Sequence, residues 1–125
     1  MMYRFALRLT ALLVLTLGLN SAQAQNQVSA EAWMAGMVDT LPDFFCANDQ
    51  YFMQCFEVTE DECRTVTKQQ SELCLEELAP QIPSLLNMPD DGRKWGSDVG
   101  RCAGTGYDQV MADRRSSAPR CNPPG

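Results

Sequence analysis

The sequence predicts an all-α protein: a small, disulfide-stapled helical domain of three to five helices built around a central helical hairpin. Three observations carry the prediction. Thr59-Glu60-Asp61-Glu62 spells a helix start in local chemistry alone. Apolar residues recur at helical spacing on both sides of it. Six cysteines follow an export signal.

The first stretch lies outside the fold. Arg4 and Arg8 make a positive n-region, Leu9 to Leu19 is an apolar run, and Ala22-Gln23-Ala24 is an A-x-A cleavage site. Residues 1–24 are therefore expected to be a removed signal peptide, with cleavage near Ala24. The apolar run falls short of the roughly 20 residues that a membrane span needs, so no membrane insertion is expected. The mature chain, 25–125, is read as a single helical domain over 25–115 and a Ser/Pro-rich tail over 116–125 tied by Cys121. A domain of that size buries a little over roughly 60% of its chain surface, so staples matter.

The elements follow in order. Residues 25–28 should fray. Ser29 caps a helix over 30–38 whose apolar face is Trp33, Met34, Met37 and Val38. Thr40-Leu41-Pro42-Asp43 starts a separate turn, with Pro42 tolerated near its beginning. Asn48-Asp49 breaks the chain, and a short helix over Tyr51 to Phe56 folds back on the next. That next helix opens on a capping box, Thr59 with Glu62, and three carboxylates suit its positive end. Pro80 stops it near Ala79. Its inward positions are predicted as Cys63, Val66, Leu73, Cys74 and Leu78. Residues 80–93 read as a connector, with a helical turn over 84–88 and a turn at Asp90-Asp91-Gly92. A last helix runs from Lys94 to about Arg115, with Trp95, Val99, Cys102, Ala103, Gly106, Val110 and Met111 on one side. Gly96, Gly100 and Gly104 recur every fourth residue in it, a spacing that suits close packing on the hairpin. The tail should be ordered only at Cys121.

Cys63 and Cys74 share one face of a helix about 16 Å apart along its axis. A disulfide needs Cα atoms within about 7 Å, so each must reach a neighbour. The hairpin geometry favours Cys55 with Cys63 at the turn and Cys46 with Cys74 at the open end, which leaves Cys102 for Cys121. No CxxC is present to suggest a redox or zinc site. Export favours disulfides.

The chain has no histidine. That removes Ser-His-Asp and Cys-His catalysis and histidine-based metal hydrolysis. No catalytic, metal or cofactor residue is assigned, and no enzyme is expected. Met34 with Met37 reads as core, and Asp90-Asp91-Gly92 lacks calcium-loop spacing. Without Arg4 and Arg8, eight basic residues face sixteen acidic ones, a net charge of −8. That disfavours nucleic acid. The expected function is binding of another exported or periplasmic protein, as an inhibitor, immunity or accessory factor, in the periplasm or beyond it. Phe44, Phe45, Tyr51, Phe52 and Phe56 form either the core under the hairpin or, where exposed, the interaction surface. The alternative is a carrier holding a small apolar ligand in an enclosed cavity. The third reading is a hydrolase with two carboxylates facing across a cleft.

Overall fold

The structure is a computed structural model that describes residues 26–122 and 124. The signal peptide and its cleavage site lie outside the described residues.

Strand β1 (Gln27–Ser29) leads into helix α1 (Ala30–Phe45). A short α2 (Tyr51–Cys55) and a long α3 (Glu60–Leu78) follow, then β2 (Leu85–Asn87) and α4 (Asp90–Val110). Single 3₁₀ turns follow α3 at Ala79–Gln81, follow α4 at Ala112–Arg114, and close the tail at Pro119–Cys121. The fold class is all-α apart from one small ladder. α3 is the centre, packed on α1 along one side and α4 along the other.

Each helix boundary has a local cause. The Ala32 amide donates to Ser29 Oγ at 3.2 Å and caps α1. α1 does not end at residue 38. It runs through Pro42 to Phe45, because a proline in the last turn forfeits only one hydrogen bond while Leu41 and Pro42 are both buried. Asn48-Asp49 does break the chain. The capping box of α3 is complete: the Glu62 amide donates to Thr59 Oγ1 at 3.2 Å, and the Thr59 amide donates to Glu62 Oε2 at 2.9 Å.

Two expectations at the connector are corrected. Residues 84–88 are not a helical turn, and residues 26–28 do not fray. They pair as an antiparallel ladder, Gln27 with Asn87, Val28 with Leu86 and Ser29 with Leu85. Leu86 is fully buried beneath it. Asp90-Asp91-Gly92 is the first turn of α4, which starts four residues before Lys94 and ends at Val110. Asp91 Oδ2 accepts from the Asn87 amide at 2.7 Å and joins β2 to that helix.

The buried faces also differ from the predicted ones. α3 turns Cys63, Thr67, Ser71, Cys74 and Leu75 inward, and Leu73 faces solvent. The two hydroxyl residues can be buried because their polar atoms are met locally: Ser71 Oγ donates to the Thr67 carbonyl at 2.7 Å, and Thr67 Oγ1 lies 3.4 Å from Cys46 Sγ. α4 buries Trp95, Val99, Ala103 and Tyr107, and Met111 follows beyond its end.

All six cysteines are bonded, but the three predicted pairs are wrong. The bonds are Cys46–Cys63, Cys55–Cys121 and Cys74–Cys102, with Cα separations of 5.9, 5.4 and 5.9 Å. The reason is the direction of α1. It runs antiparallel to α3, so Cys46 at its C-terminal end meets the first turn of α3, far from Cys74. Cys74 then faces α4, and Cys55 is left for the tail.

The tail is a strap, ordered through residues 116–122. The Glu57 amide donates to the Arg114 carbonyl at 2.9 Å, and the Ser116 amide donates to the Cys55 carbonyl at 2.7 Å. Asn122 Nδ2 closes it with bonds to the Ser116 and Ala118 carbonyls. Arg114 and Arg115 do not serve the end of α4. Arg114 reaches the start of α3 and donates to both oxygens of Glu62 at 3.1 and 3.3 Å. Arg115 holds Asp108 at 3.2 Å.

Glu62 therefore has two masters, its capping box and the strap. The Arg114 guanidinium, with the Thr59 amide second, holds its carboxyl down at about 2 from an ordinary 4.5. A depressed carboxyl stabilises the fold in full above its unfolded value and loses that contribution as pH falls through the folded one. Glu62→Gln is expected to destabilise the protein at pH 7. Urea titrations of both proteins should show the gap closing between pH 4.5 and 2. A gap that stays constant over that window would show that the charge on Glu62 does not matter.

Candidate functional site

The five aromatics singled out by sequence do not form one surface. Phe52 and Phe56 are 4% and 5% exposed and belong to the core. Phe45 is half-buried and packs against both core clusters. Phe44 is 60% exposed and Tyr51 38%. The split follows from helix geometry: neighbouring residues on α1 point about 100° apart, so Phe45 turns in and Phe44 turns out.

The rings nevertheless touch in sequence from surface to core. Phe44 meets Phe45 edge-on with centroids 5.4 Å apart, Phe45 lies 5.0 Å from Phe52, and Phe52 stacks on Tyr107 at 3.7 Å. Tyr107 also meets Phe56 edge-on at 5.2 Å. Tyr107 is absent from the sequence-predicted face. The signal for it was available: Trp95, Val99, Ala103, Tyr107 and Met111 repeat at strict four-residue spacing.

Phe44 stands at the lip of an open groove of about 690 Å³ between α1 and α4. Leu41, Phe44 and Phe45 form one wall. Gly92, Gly96 and Gly100 line the floor, and Arg93, Ser97 and Arg101 line the α4 side. A Cβ built on Gly96 would come 4.0 Å from Met37 Cε, and one on Gly100 would come 3.8 Å from Phe45 Cζ. Both are ordinary contacts, so packing does not demand glycine at either position. Gly106 is different: a Cβ there would overlap the side-chain amide of Gln70 on α3, and that flexible side chain would have to move aside. The expected close packing of the glycine stripe on the hairpin is thus not what the stripe does. Gly104 has open space around it, and Gly96 and Gly100 face α1.

A second open groove, about 620 Å³, lies between α3 and α4. The Cys74–Cys102 disulfide, Leu73, Glu77, Asp98 and Arg101 are among its lining. Asp98 is engaged by cations: Lys94 Nζ donates to it at 3.1 Å, and Arg101 lies 3.9 Å away.

Met34 and Met37 pack against the core. Among the described residues, no three His, Cys, Asp or Glu side chains are grouped to hold a metal ion. No described helix is long and apolar enough to cross a membrane.

A family model described as "NttA: T2SS substrate NttA" matches residues 27–115, from the first strand to the start of the strap. No curated protein and no solved structure matches the chain.

Proposed function

The chain belongs to this family of type II secretion system substrates and is therefore an exported protein; we propose that, once exported, it acts without catalysis by docking another protein in the groove between α1 and α4. Passage through the periplasm agrees with three disulfides, which form and persist in oxidising compartments.

The observation that carries the reading is Phe44, a large ring left 60% exposed beside an apolar groove. Aromatic side chains of this kind anchor protein interfaces. The floor supports it. Each glycine inside a helix costs about 1 kcal/mol against alanine, and Gly96 and Gly100 have room for a methyl group. That cost is offset by no packing gain within the molecule, whereas an open floor admits a partner's side chain. The carrier reading asks for an enclosed cavity, and both described grooves open to solvent.

A benzophenone photo-crosslinker in place of Phe44 tests the proposal. In the secreted material it should give a discrete crosslinked protein. Ser97→Trp fills the groove from an exposed position and should reduce that product about ten-fold or more, the loss expected when a central contact is blocked. The same probe in place of Glu72, on the far face of α3, should give none. Equal products from both positions, or a product indifferent to Ser97→Trp, would sink the docking reading.

A further inference from the structure

Resting on that docking reading, we infer that the occupant of the α1–α4 groove is an acidic amphipathic helix of a partner protein, with a bulky apolar anchor between two carboxylates held by Arg93 and Arg101. Among the described residues these two are the only charged side chains that line the groove, and both are positive. Their side chains are each 78% exposed. They stand eight residues apart on one face of α4, about 12 Å along the axis, with the small Ser97 between them.

Among the described residues, neither guanidinium makes a hydrogen bond, and each has only a long ionic contact. The nearest carboxylates, exposed Asp90 for Arg93 and half-buried Asp98 for Arg101, lie at 3.9 Å, and Lys94 already holds Asp98 at 3.1 Å. Such pairs are weak and yield readily to a better acceptor. Elsewhere in the fold the contrast is plain. Arg64 is bonded to Asp43, Arg114 grips Glu62 with both nitrogens, and Arg115 holds Asp108 at 3.2 Å. Those arginines hold the structure together, and the two on the groove are free to hold something else.

The match is to a carboxylate because a planar guanidinium offers two parallel donors to a two-oxygen acceptor. It is to a helix because carboxylates seven or eight residues apart on a helix span the same roughly 12 Å. A leucine or aromatic residue between them, on the same face, meets Phe44 and Leu41 over the glycine floor. This is recognition of an amphipathic helix by an apolar groove. The chain's net charge of −6, or −8 without Arg4 and Arg8, works against an acidic partner at long range. The two arginines therefore act at contact distance, fixing register and specificity more than association rate.

The test is a selection from a displayed library of helical peptides on the disulfide-intact protein, with counter-selection on Ser97→Trp. Groove-dependent binders should carry Asp or Glu seven or eight residues apart around a bulky apolar residue. A chosen binder should lose about ten-fold or more in affinity to the Arg93→Glu/Arg101→Glu double variant, and less to Arg93→Lys/Arg101→Lys, which keeps the charge but not the fork. Circular dichroism of each variant confirms the fold, since all three positions are exposed. Groove-dependent binders that lack acids, or that ignore charge reversal, overturn this inference and leave the docking reading standing. If no binder depends on Ser97, both fall. A concentration-dependent dimer of the wild type that Ser97→Trp abolishes would assign the groove to a second copy and overturn the inference as well.

Discussion

Replacing Cys55 and Cys121 together with alanine lowers the unfolding free energy by about 4 kcal/mol, the largest loss among the three disulfides. The argument is chain entropy. A cross-link restricts the unfolded chain more as the loop it closes grows. Cys55–Cys121 closes 66 residues, Cys74–Cys102 closes 28 and Cys46–Cys63 closes 17. The same relation gives about 3 kcal/mol for the shortest loop. The site adds to the difference, because the Cys55–Cys121 bond is what pins the strap over Phe56 and Tyr107. Without it, the backbone bonds from Ser116 to Cys55 and from Glu57 to Arg114, together with the Arg114–Glu62 and Arg115–Asp108 pairs, must hold the strap. Alanine is the right replacement, since both sulfurs are buried and serine would bury a hydroxyl. Urea denaturation of the three paired variants measures the order, and hydrogen exchange should show residues 115–122 opening first in this one. If Cys46/Cys63→Ala costs more, loop length does not govern the staples.

What the sequence revealed, and what it hid, follows from the range of each interaction. Thr59 and Glu62 satisfy one another within a single turn, so their role was legible without any fold. The break at Asn48-Asp49 is equally local. The ladder between residues 27–29 and 85–87 is not: three residues meet three others across most of the chain, and neither triplet has the length or alternation of a strand. The cysteine pairs failed for the same reason. They depend on α1 running antiparallel to α3, and the predicted break near residue 39 hid that direction. Thr67 and Ser71 were passed over because they are polar, yet their hydroxyls find acceptors one turn back or beside a sulfur. At the candidate site the cluster of aromatics was visible and its division was not. Phe44 and Phe45 are chemically identical, and only the phase of a helix extended through Pro42 sends one outward. Arg93 gave no signal at all while α4 was expected to begin after it.

Tyr107→Ala should cost about 3–5 kcal/mol, the range for removing a large aromatic ring from a core. The ring is fully buried, stacks face to face on Phe52 and meets Phe56 edge-on. It shares a core cluster with Phe52, Phe56, Cys63 and Cys121, so its loss leaves a cavity between the helices and the strap. Against a total stability of about 5–15 kcal/mol for a domain, that brings the protein close to its unfolding threshold. Tyr107→Phe should behave in the opposite way. The hydroxyl is buried and has no protein hydrogen-bond partner, so removing it spares a desolvation cost and should be neutral or stabilising by about 1 kcal/mol. The pH dependence separates the two effects. Burial pushes the Tyr107 phenol up to about 12 from an ordinary 10. A raised value stabilises the fold fully below the unfolded one, and the contribution drains away as pH rises through the folded one. Wild type should therefore lose stability between pH 10 and 12 that Tyr107→Phe retains, and the advantage of phenylalanine should widen across that window. Paired urea titrations at pH 7, 10 and 11 decide it. A phenylalanine variant less stable than wild type at pH 7 would mean that the hydroxyl is bonded after all, and that this end of the core is held by a polar contact as well as by ring packing.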